Sequence, residues 1–117
     1  MYPVIATSGE FAHAGSAKQL LAAGVAPAEL PRYSPQLQVD ARTPPTLLVH
    51  AADDETVPVE NSLLMYAALR KAGVRSELHV FDRGGHGFGL RSIAGKDVAE
   101  WPTLVQNWAL GNAEHKN

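Results

Sequence analysis

The sequence predicts an α/β fold in which helices cover both faces of a short parallel sheet, a three-layer α/β/α arrangement. Residues 46–51 form a continuous apolar run, which is typical of a strand that is buried on both faces. Apolar positions then recur at helical spacing after Val57-Pro58 and stop at Gly73, and a second apolar run follows at residues 77–81. A strand, a helix and a second strand in this order indicate a right-handed parallel unit.

Two elements and a long loop are predicted before this unit. Residues 2–6 are short, apolar and β-branched, which indicates a third parallel strand. Residues 17–23 predict a short helix, because a capping-box pattern precedes their apolar positions. Residues 25–45 are rich in proline and have no sustained period, so we expect a loop-rich excursion that contributes to a pocket.

The C-terminal part predicts one more helix. Its apolar stripe consists of Val98, Trp101, Val105 and Trp108. This spacing indicates an amphipathic helix over residues 102–110 that follows a polar link at residues 92–100. Gly111 is expected to end it.

Composition indicates a single ordinary globular domain over residues 1–117. The chain is 45% hydrophobic and 19% charged, and it contains no cysteine and therefore no disulfide or thiolate metal site. A net charge of −2 without a basic run argues against nucleic acid and membrane surfaces as partners. The N-terminus lacks the basic and apolar regions of a signal peptide, so the expected compartment is the cytoplasm.

Reactive side chains follow both strands of the central unit. Asp53 and Asp54 come directly after the first strand, and His86 lies in the loop after the second. Neighbouring strands lie ~4.8 Å apart, and parallel strands end at the same sheet edge. A carboxylate of the first loop can therefore reach His86, which is the acid–histidine half of a catalytic triad.

Several candidate residues remain beside this pair. Asp53 is the alternative acid, and Ser8 is a weaker candidate nucleophile because it follows the first predicted strand. The loop around His86 is expected to bring its backbone close to a substrate, through Gly84, Gly85, Gly87 and Phe88. No cofactor is expected. A metal site that includes His50 lacks a ligand-pair spacing, so this histidine is expected to be packed and hydrogen-bonded.

The segments HAADDETVP at residues 50–58 and GGHGF at residues 84–88 carry a resemblance over nearly the whole chain. They resemble α/β-hydrolases of the dienelactone-hydrolase, carbohydrate acetyl-esterase and prolyl-oligopeptidase-like types. The resemblance implies a partial α/β-hydrolase fold. It also implies that Asp54, three residues before Val57, is the acid and that His86, after paired glycines, is the base.

One part of the family pattern is missing. The resembled enzymes carry a serine nucleophile on a Gly-x-Ser-x-Gly elbow, and this sequence contains no such elbow. The resemblance implies the C-terminal part of a serine hydrolase that acts on small esters or acetylated sugars, with little activity of its own. The alternative is a non-catalytic, hydrolase-derived module that folds by oligomerising or by binding another chain. One edge of the strand predicted at residues 2–6 has no predicted strand to pair with, which leaves its backbone N–H and C=O groups unpaired. We therefore expect a homo-oligomer, most simply a dimer.

Overall fold

The structure is a computed structural model that describes residues 22–24, 28, 35–91 and 93–114. Its elements in order are a 3₁₀ helix (Pro35–Leu37), β1 (Thr46–Ala51), α1 (Glu60–Lys71), β2 (Ser76–Phe81), a second 3₁₀ helix (Asp97–Glu100) and α2 (Trp101–Glu114). The strand predicted at residues 2–6 lies outside the described residues. Most of the helix predicted at residues 17–23 also lies outside them. The same holds for residues 25–27 and 29–34 of the predicted loop-rich excursion.

The two described strands form the parallel unit that the sequence predicts. β1 and β2 are hydrogen-bonded neighbours, with Thr46 opposite Ser76 and Ala51 opposite Phe81. The two strands therefore end at the same sheet edge. The loop after β1 and the loop after β2 leave the sheet side by side there, which is the arrangement that a shared site requires.

β1 lies at the centre of the core and is buried on both faces. Val49 is 1% exposed on one face and Leu48 is 3% exposed on the other. The first face packs in a cluster of Val49, Ala51, Phe88 and Val98. The second packs in a cluster of Leu48, Leu69 and Val74. Helical segments thus cover both faces, which confirms the predicted α/β layers.

The ends of α1 follow from local backbone contacts. The helix begins at Glu60, and its first turn is preceded by a tighter one, in which the amide of Asn61 donates to the carbonyl of Pro58 at 3.0 Å. At the other end Gly73 takes a φ of 73°, and the amide of Val74 donates to the carbonyl of Leu69 at 2.9 Å. This six-residue closure ends the helix, so the predicted stop at Gly73 is confirmed.

The predicted end of the last helix is wrong. α2 continues through Gly111 to Glu114, and Gly111 does not take the positive φ that turns a chain out of a helix. Arg75, in the loop between α1 and β2, lies close to Gly111. Its guanidinium stacks over the ring of Trp108 at 4.7 Å, and Nη2 of Arg75 would be 3.7 Å from a Cβ at residue 111. The predicted polar link also ends in a 3₁₀ helix, because the fully buried Val98 ties residues 97–100 to the core.

Candidate active site

The loop after β1 is folded around the carboxylate of Asp54. Its Oδ1 accepts the amide hydrogens of Thr56 at 2.9 Å and of Val57 at 2.8 Å. An aspartate side chain that accepts hydrogen bonds from the amides two and three residues further along closes a tight local turn. Aspartate favours such turns because its short side chain reaches the nearby backbone. The turn leaves the second oxygen, Oδ2, to contact side chains from other parts of the fold.

The structure brings Asp54 and His86 into direct contact. Nδ1 of His86 lies 3.0 Å from Oδ2 of Asp54, which confirms the predicted proximity of the two side chains. The carboxylate side chain is fully buried, whereas the imidazole is 38% exposed. Because an ionised carboxylate only accepts hydrogen bonds, Nδ1 carries the proton, and neutral His86 then has its lone pair on Nε2.

The environment keeps Asp54 ionised. Burial alone would raise the pKa of this carboxyl group. The amide of Val57, the imidazole of His86 and the amide of Thr56 all donate to it, and together they hold its pKa below the ordinary value. A buried carboxylate with this set of donors is able to orient an imidazole and to stabilise its protonated form.

A second histidine also contacts the acid. His50 is fully buried; its Nε2 lies 2.8 Å from the carbonyl oxygen of Val57 and 3.3 Å from Oδ2 of Asp54. Its Nδ1 lies 2.6 Å from Oγ of Ser62. Both neighbours of Nε2 are acceptors, so Nε2 carries a proton and Nδ1 accepts from the serine hydroxyl. The sequence predicted a packed, hydrogen-bonded histidine here, and the structure confirms it.

The loop that carries His86 is held against the core at both sides of the histidine. Gly84 packs so closely that a Cβ would lie 2.5 Å from Cγ1 of Val98. Further along, Nε1 of Trp101 donates to the carbonyl oxygen of Gly89 at 2.8 Å. Between these contacts the backbone bends through positive φ values of 65° at Gly85 and 69° at Gly87. The glycines therefore make the sharp bend that the sequence predicted, and the close approach at Gly84 is to side chains of the core.

Phe88 occupies a different place from the one the sequence suggested. It was expected to line a substrate pocket, but its side chain is buried in the core and meets the ring of Trp101 edge to face at 6.5 Å. The reason is the direction of the loop after residue 87, which returns the chain to the sheet face that Val98 also covers. Phe88 thus anchors the loop.

Asp53 contacts the same loop through its backbone. Its Oδ1 accepts the amide hydrogens of Gly84 at 2.9 Å and of Gly85 at 2.7 Å. The two neighbouring aspartates therefore meet different groups, since Asp54 meets the imidazole of His86 and Asp53 the backbone before it. Ser8, the candidate nucleophile, lies outside the described residues.

A cleft of about 560 Å³ lies beside the pair. Its lining consists of Asp53, Arg83, Gly84, Gly85, Gly95, Lys96 and Asp97. Two residues expected at the pocket, Gly84 and Gly85, are thus in the cleft wall, whereas the imidazole of His86 is not. In the described part of the chain no three His, Cys, Asp or Glu side chains are grouped to hold a metal ion. None of its helices has the length and apolar content to cross a membrane.

Sequence reasoning missed the connections of His50 and Asp53. His50 precedes the acid by four residues at the end of a buried strand, and a polar residue in such a position requires a buried partner. That requirement was the available signal, but the partner, Ser62, comes from α1 and is identified only by the fold. Asp53 gave no comparable signal, because its partners are backbone amides more than thirty residues away.

Two parallel strands thus bring a buried carboxylate and a hydrogen-bonded histidine to one sheet edge, between helical layers. This is the arrangement of the acid and histidine in the α/β-hydrolase fold. The model of the prolyl oligopeptidase family matches residues 13–113. The chain therefore belongs to the prolyl oligopeptidase family.

Solved and curated relatives agree with this assignment. The structure superposes with a TM-score of 0.87 on an acetyl ester-xyloside bifunctional hydrolase from Caldicellulosiruptor lactoaceticus, at 46% identity, over 96% of this chain and 40% of that one. The chain is 43% identical over 86 residues to endo-1,4-beta-xylanase B of Butyrivibrio fibrisolvens, covering 74% of this chain and 13% of the relative. It is 36% identical over 93 residues to an acetylxylan esterase of Xylanibacter ruminicola, covering 76% of this chain and 19% of the relative. The chain thus spans less than half the length of each of these three proteins.

Proposed function

We propose that this chain supplies the acid and the histidine of a serine-type ester hydrolase, with Asp54 as the acid and His86 as the base. The observation that carries the proposal is the 3.0 Å contact between Nδ1 of the half-exposed His86 and Oδ2 of the fully buried Asp54. The sequence contains no Gly-x-Ser-x-Gly elbow, so the proposal assigns the nucleophilic serine to residues that this sequence does not include.

The proposed reaction uses the two nitrogens of His86 differently. The Nδ1–H group stays hydrogen-bonded to Asp54. Nε2 takes the proton of the serine hydroxyl as the serine oxygen attacks the ester carbonyl carbon. The imidazolium, stabilised by Asp54, then gives this proton to the departing alcohol, which leaves an acyl-serine. Water repeats the sequence: Nε2 takes its proton, the hydroxide adds to the acyl carbon, and the proton returns to the serine oxygen as the acid is released.

The proposed substrates are small acyl esters and, more specifically, acetylated sugars. The support comes from relatives that are named for acetyl ester and acetylxylan hydrolysis. The family also contains oligopeptidases by name, so a proline peptide is the competing substrate class. A direct comparison of a chromogenic acetyl ester, an acetylated xylo-oligosaccharide and a prolyl anilide distinguishes these classes.

A chimeric enzyme tests the catalytic roles. The segment of the Caldicellulosiruptor lactoaceticus hydrolase that aligns with this chain is replaced by this chain, which 46% identity over 96% of the chain makes feasible. We expect the chimera to hydrolyse the acetyl ester. His86→Gln should lower kcat at least about a thousandfold, and Asp54→Asn about ten-thousandfold, because each removes a member of the triad.

Matched variants control for damage to the fold. His79→Gln changes a partly exposed histidine of β2 that contacts Glu77, and Asp82→Asn changes an exposed aspartate paired with Arg83. Both should leave kcat within about twofold of the parent chimera, as is usual for surface substitutions. A folded chimera that keeps its activity in His86→Gln would contradict the proposal.

The isolated chain is expected to be inactive. His86 needs a hydroxyl to deprotonate, and no serine of this sequence sits on an elbow. Robust turnover of the acetyl ester by the chain alone would contradict this expectation. Loss of that turnover in Ser8→Ala would then identify Ser8 as the nucleophile.

A second candidate function is a non-catalytic module that works as an oligomer. The missing elbow favours it. The expected assembly is a homodimer formed through strand edges or sheet faces. Sedimentation at micromolar concentration tests this: a stable species at 12.5 kDa contradicts it, and a species of twice that mass supports it.

A further inference from the structure

Two neighbouring carboxylates of one loop reach the next loop at different places. Asp54 contacts the ring of His86, whereas Oδ1 of Asp53 accepts the amide hydrogens of Gly84 and Gly85, the two residues before that histidine. We propose that Asp53 is a positioning residue, which fixes the backbone of the histidine loop so that His86 meets Asp54. This inference rests on the proposed catalytic role of His86.

The loop needs such a constraint because of its composition. Glycine loses more conformational freedom on folding than any other residue, and two glycines directly precede His86. Both of their amides point at one carboxylate oxygen, with distances of 2.9 and 2.7 Å. Hydrogen bonds to an ionised acceptor are stronger than neutral ones, so a single side chain fixes the direction of two successive peptide units.

The contact lies at the start of the loop, and a different contact holds its end. Nε1 of Trp101 donates to the carbonyl oxygen of Gly89 at 2.8 Å, three residues after His86. The histidine is therefore carried between two fixed points, one on the acid loop and one on α2. Of these two contacts, only the one from Asp53 comes from the loop that carries the acid, so it fixes the backbone just before His86 relative to Asp54.

The positioning role makes a prediction for the full chain without any activity. In Asp53→Ala, amide hydrogen exchange at Gly84 and Gly85 should become at least about tenfold faster, since their acceptor is gone. The ring nitrogens of His86 should also lose the single Nδ1–H tautomer and show an averaged ¹⁵N pattern. Asp53→Asn should restore both readouts in large part, because its side-chain oxygen still accepts amide hydrogens.

Glu55→Ala is the matched control, since Glu55 is an exposed carboxylate two residues further along the same loop. It should leave the exchange rates and the His86 signature unchanged. Equal exchange at the two glycines in Asp53→Ala and the unsubstituted chain would overturn the inference, and so would an equal acceleration in Glu55→Ala. If Asp53→Ala does not fold, the unsubstituted chain decides: scalar coupling from both glycine amides to Cγ of Asp53 supports the inference, and its absence overturns it.

The chimera separates this inference from the proposed function. Asp53→Ala should lower kcat with little change in KM, because substrate binding remains while the imidazole is misplaced. If His86→Gln abolishes activity and Asp53→Ala changes neither constant, the positioning role fails and the proposed function stands. If His86→Gln has no effect, the proposed function fails, and the exchange measurements still decide whether Asp53 fixes the loop.

Discussion

Replacing Gly84 by alanine should destabilise the fold through overpacking. The new Cβ would lie 2.5 Å from Cγ1 of Val98, 3.1 Å from Cβ of Ala51 and 3.3 Å from Cδ1 of Phe88. Real Cβ atoms do not approach a carbon at 2.5 Å, so the loop or the core must move. Overpacking of this kind costs ~1–3 kcal/mol. We expect the upper part of that range, about 2–3 kcal/mol, because Cβ of Ala51 belongs to a buried strand and has no rotamer to change.

A double-mutant cycle in urea tests the cause as well as the size. Val98→Ala removes the nearest clashing atom and should cost about 2 kcal/mol on its own. Independent effects would sum to about 4–5 kcal/mol, whereas relief of the clash should leave the double variant near 2–3 kcal/mol, a coupling of about 2 kcal/mol. Gly111→Ala is the control, because Gly111 does not take a positive φ and the atom nearest to its Cβ, Nη2 of Arg75, lies at an ordinary contact distance of 3.7 Å, so this variant should not lose stability. A Gly84→Ala variant within 0.5 kcal/mol of the parent by this measurement, or strict additivity with Val98→Ala, would refute the reasoning.

Two further predictions concern the buried network around the acid. Because the pKa of Asp54 is lowered in the folded chain, its ionisation stabilises the fold fully above its unfolded pKa of about 3.9, and this stabilisation is lost as the pH falls through the folded pKa. Urea unfolding between about pH 5 and pH 2 should therefore show a steeper loss in the unsubstituted chain than in Asp54→Asn, and equal slopes would contradict the prediction. His50→Ala should cost about 3 kcal/mol, since it leaves the hydroxyl of Ser62 without its buried partner and opens a cavity. His79 is partly exposed, so His79→Ala should lower the free energy of unfolding by less than about 1 kcal/mol. Similar losses for the two histidine variants would contradict the prediction that burial makes His50 the more important of the two.

The parts of the fold that local pattern determines were predictable from the sequence. The apolar run at β1 and the stop at Gly73 each follow from a few neighbouring residues, and both are found in the structure. That a carboxylate of the first loop would reach His86 followed from one further rule, that adjacent parallel strands end at the same edge. The choice of Asp54 over Asp53 came from the resemblance of residues 50–58 to α/β-hydrolases. These predictions needed no knowledge of side-chain packing.

The remaining features depend on contacts between distant residues. Gly111 was expected to end α2, but a glycine ends a helix only where the chain turns away, and α2 continues. Phe88 was expected in the substrate loop as part of the GGHGF segment, whereas the return of the loop to the sheet buries it against Trp101. The carboxylate of Asp53 could be assigned to amides of another loop only after the two loops were side by side.

The two oxygens of Asp54 contact separate neighbours, and this division has a consequence for the response of the loop to acid. Oδ1 holds the turn that leads toward α1, and Oδ2 faces the imidazoles of His50 and His86. One proton added to this carboxylate weakens both sets of contacts at once. Loss of the contact between Asp54 and His86 and loosening of the turn are then a single titration event, and both should return together when the solution is neutralised.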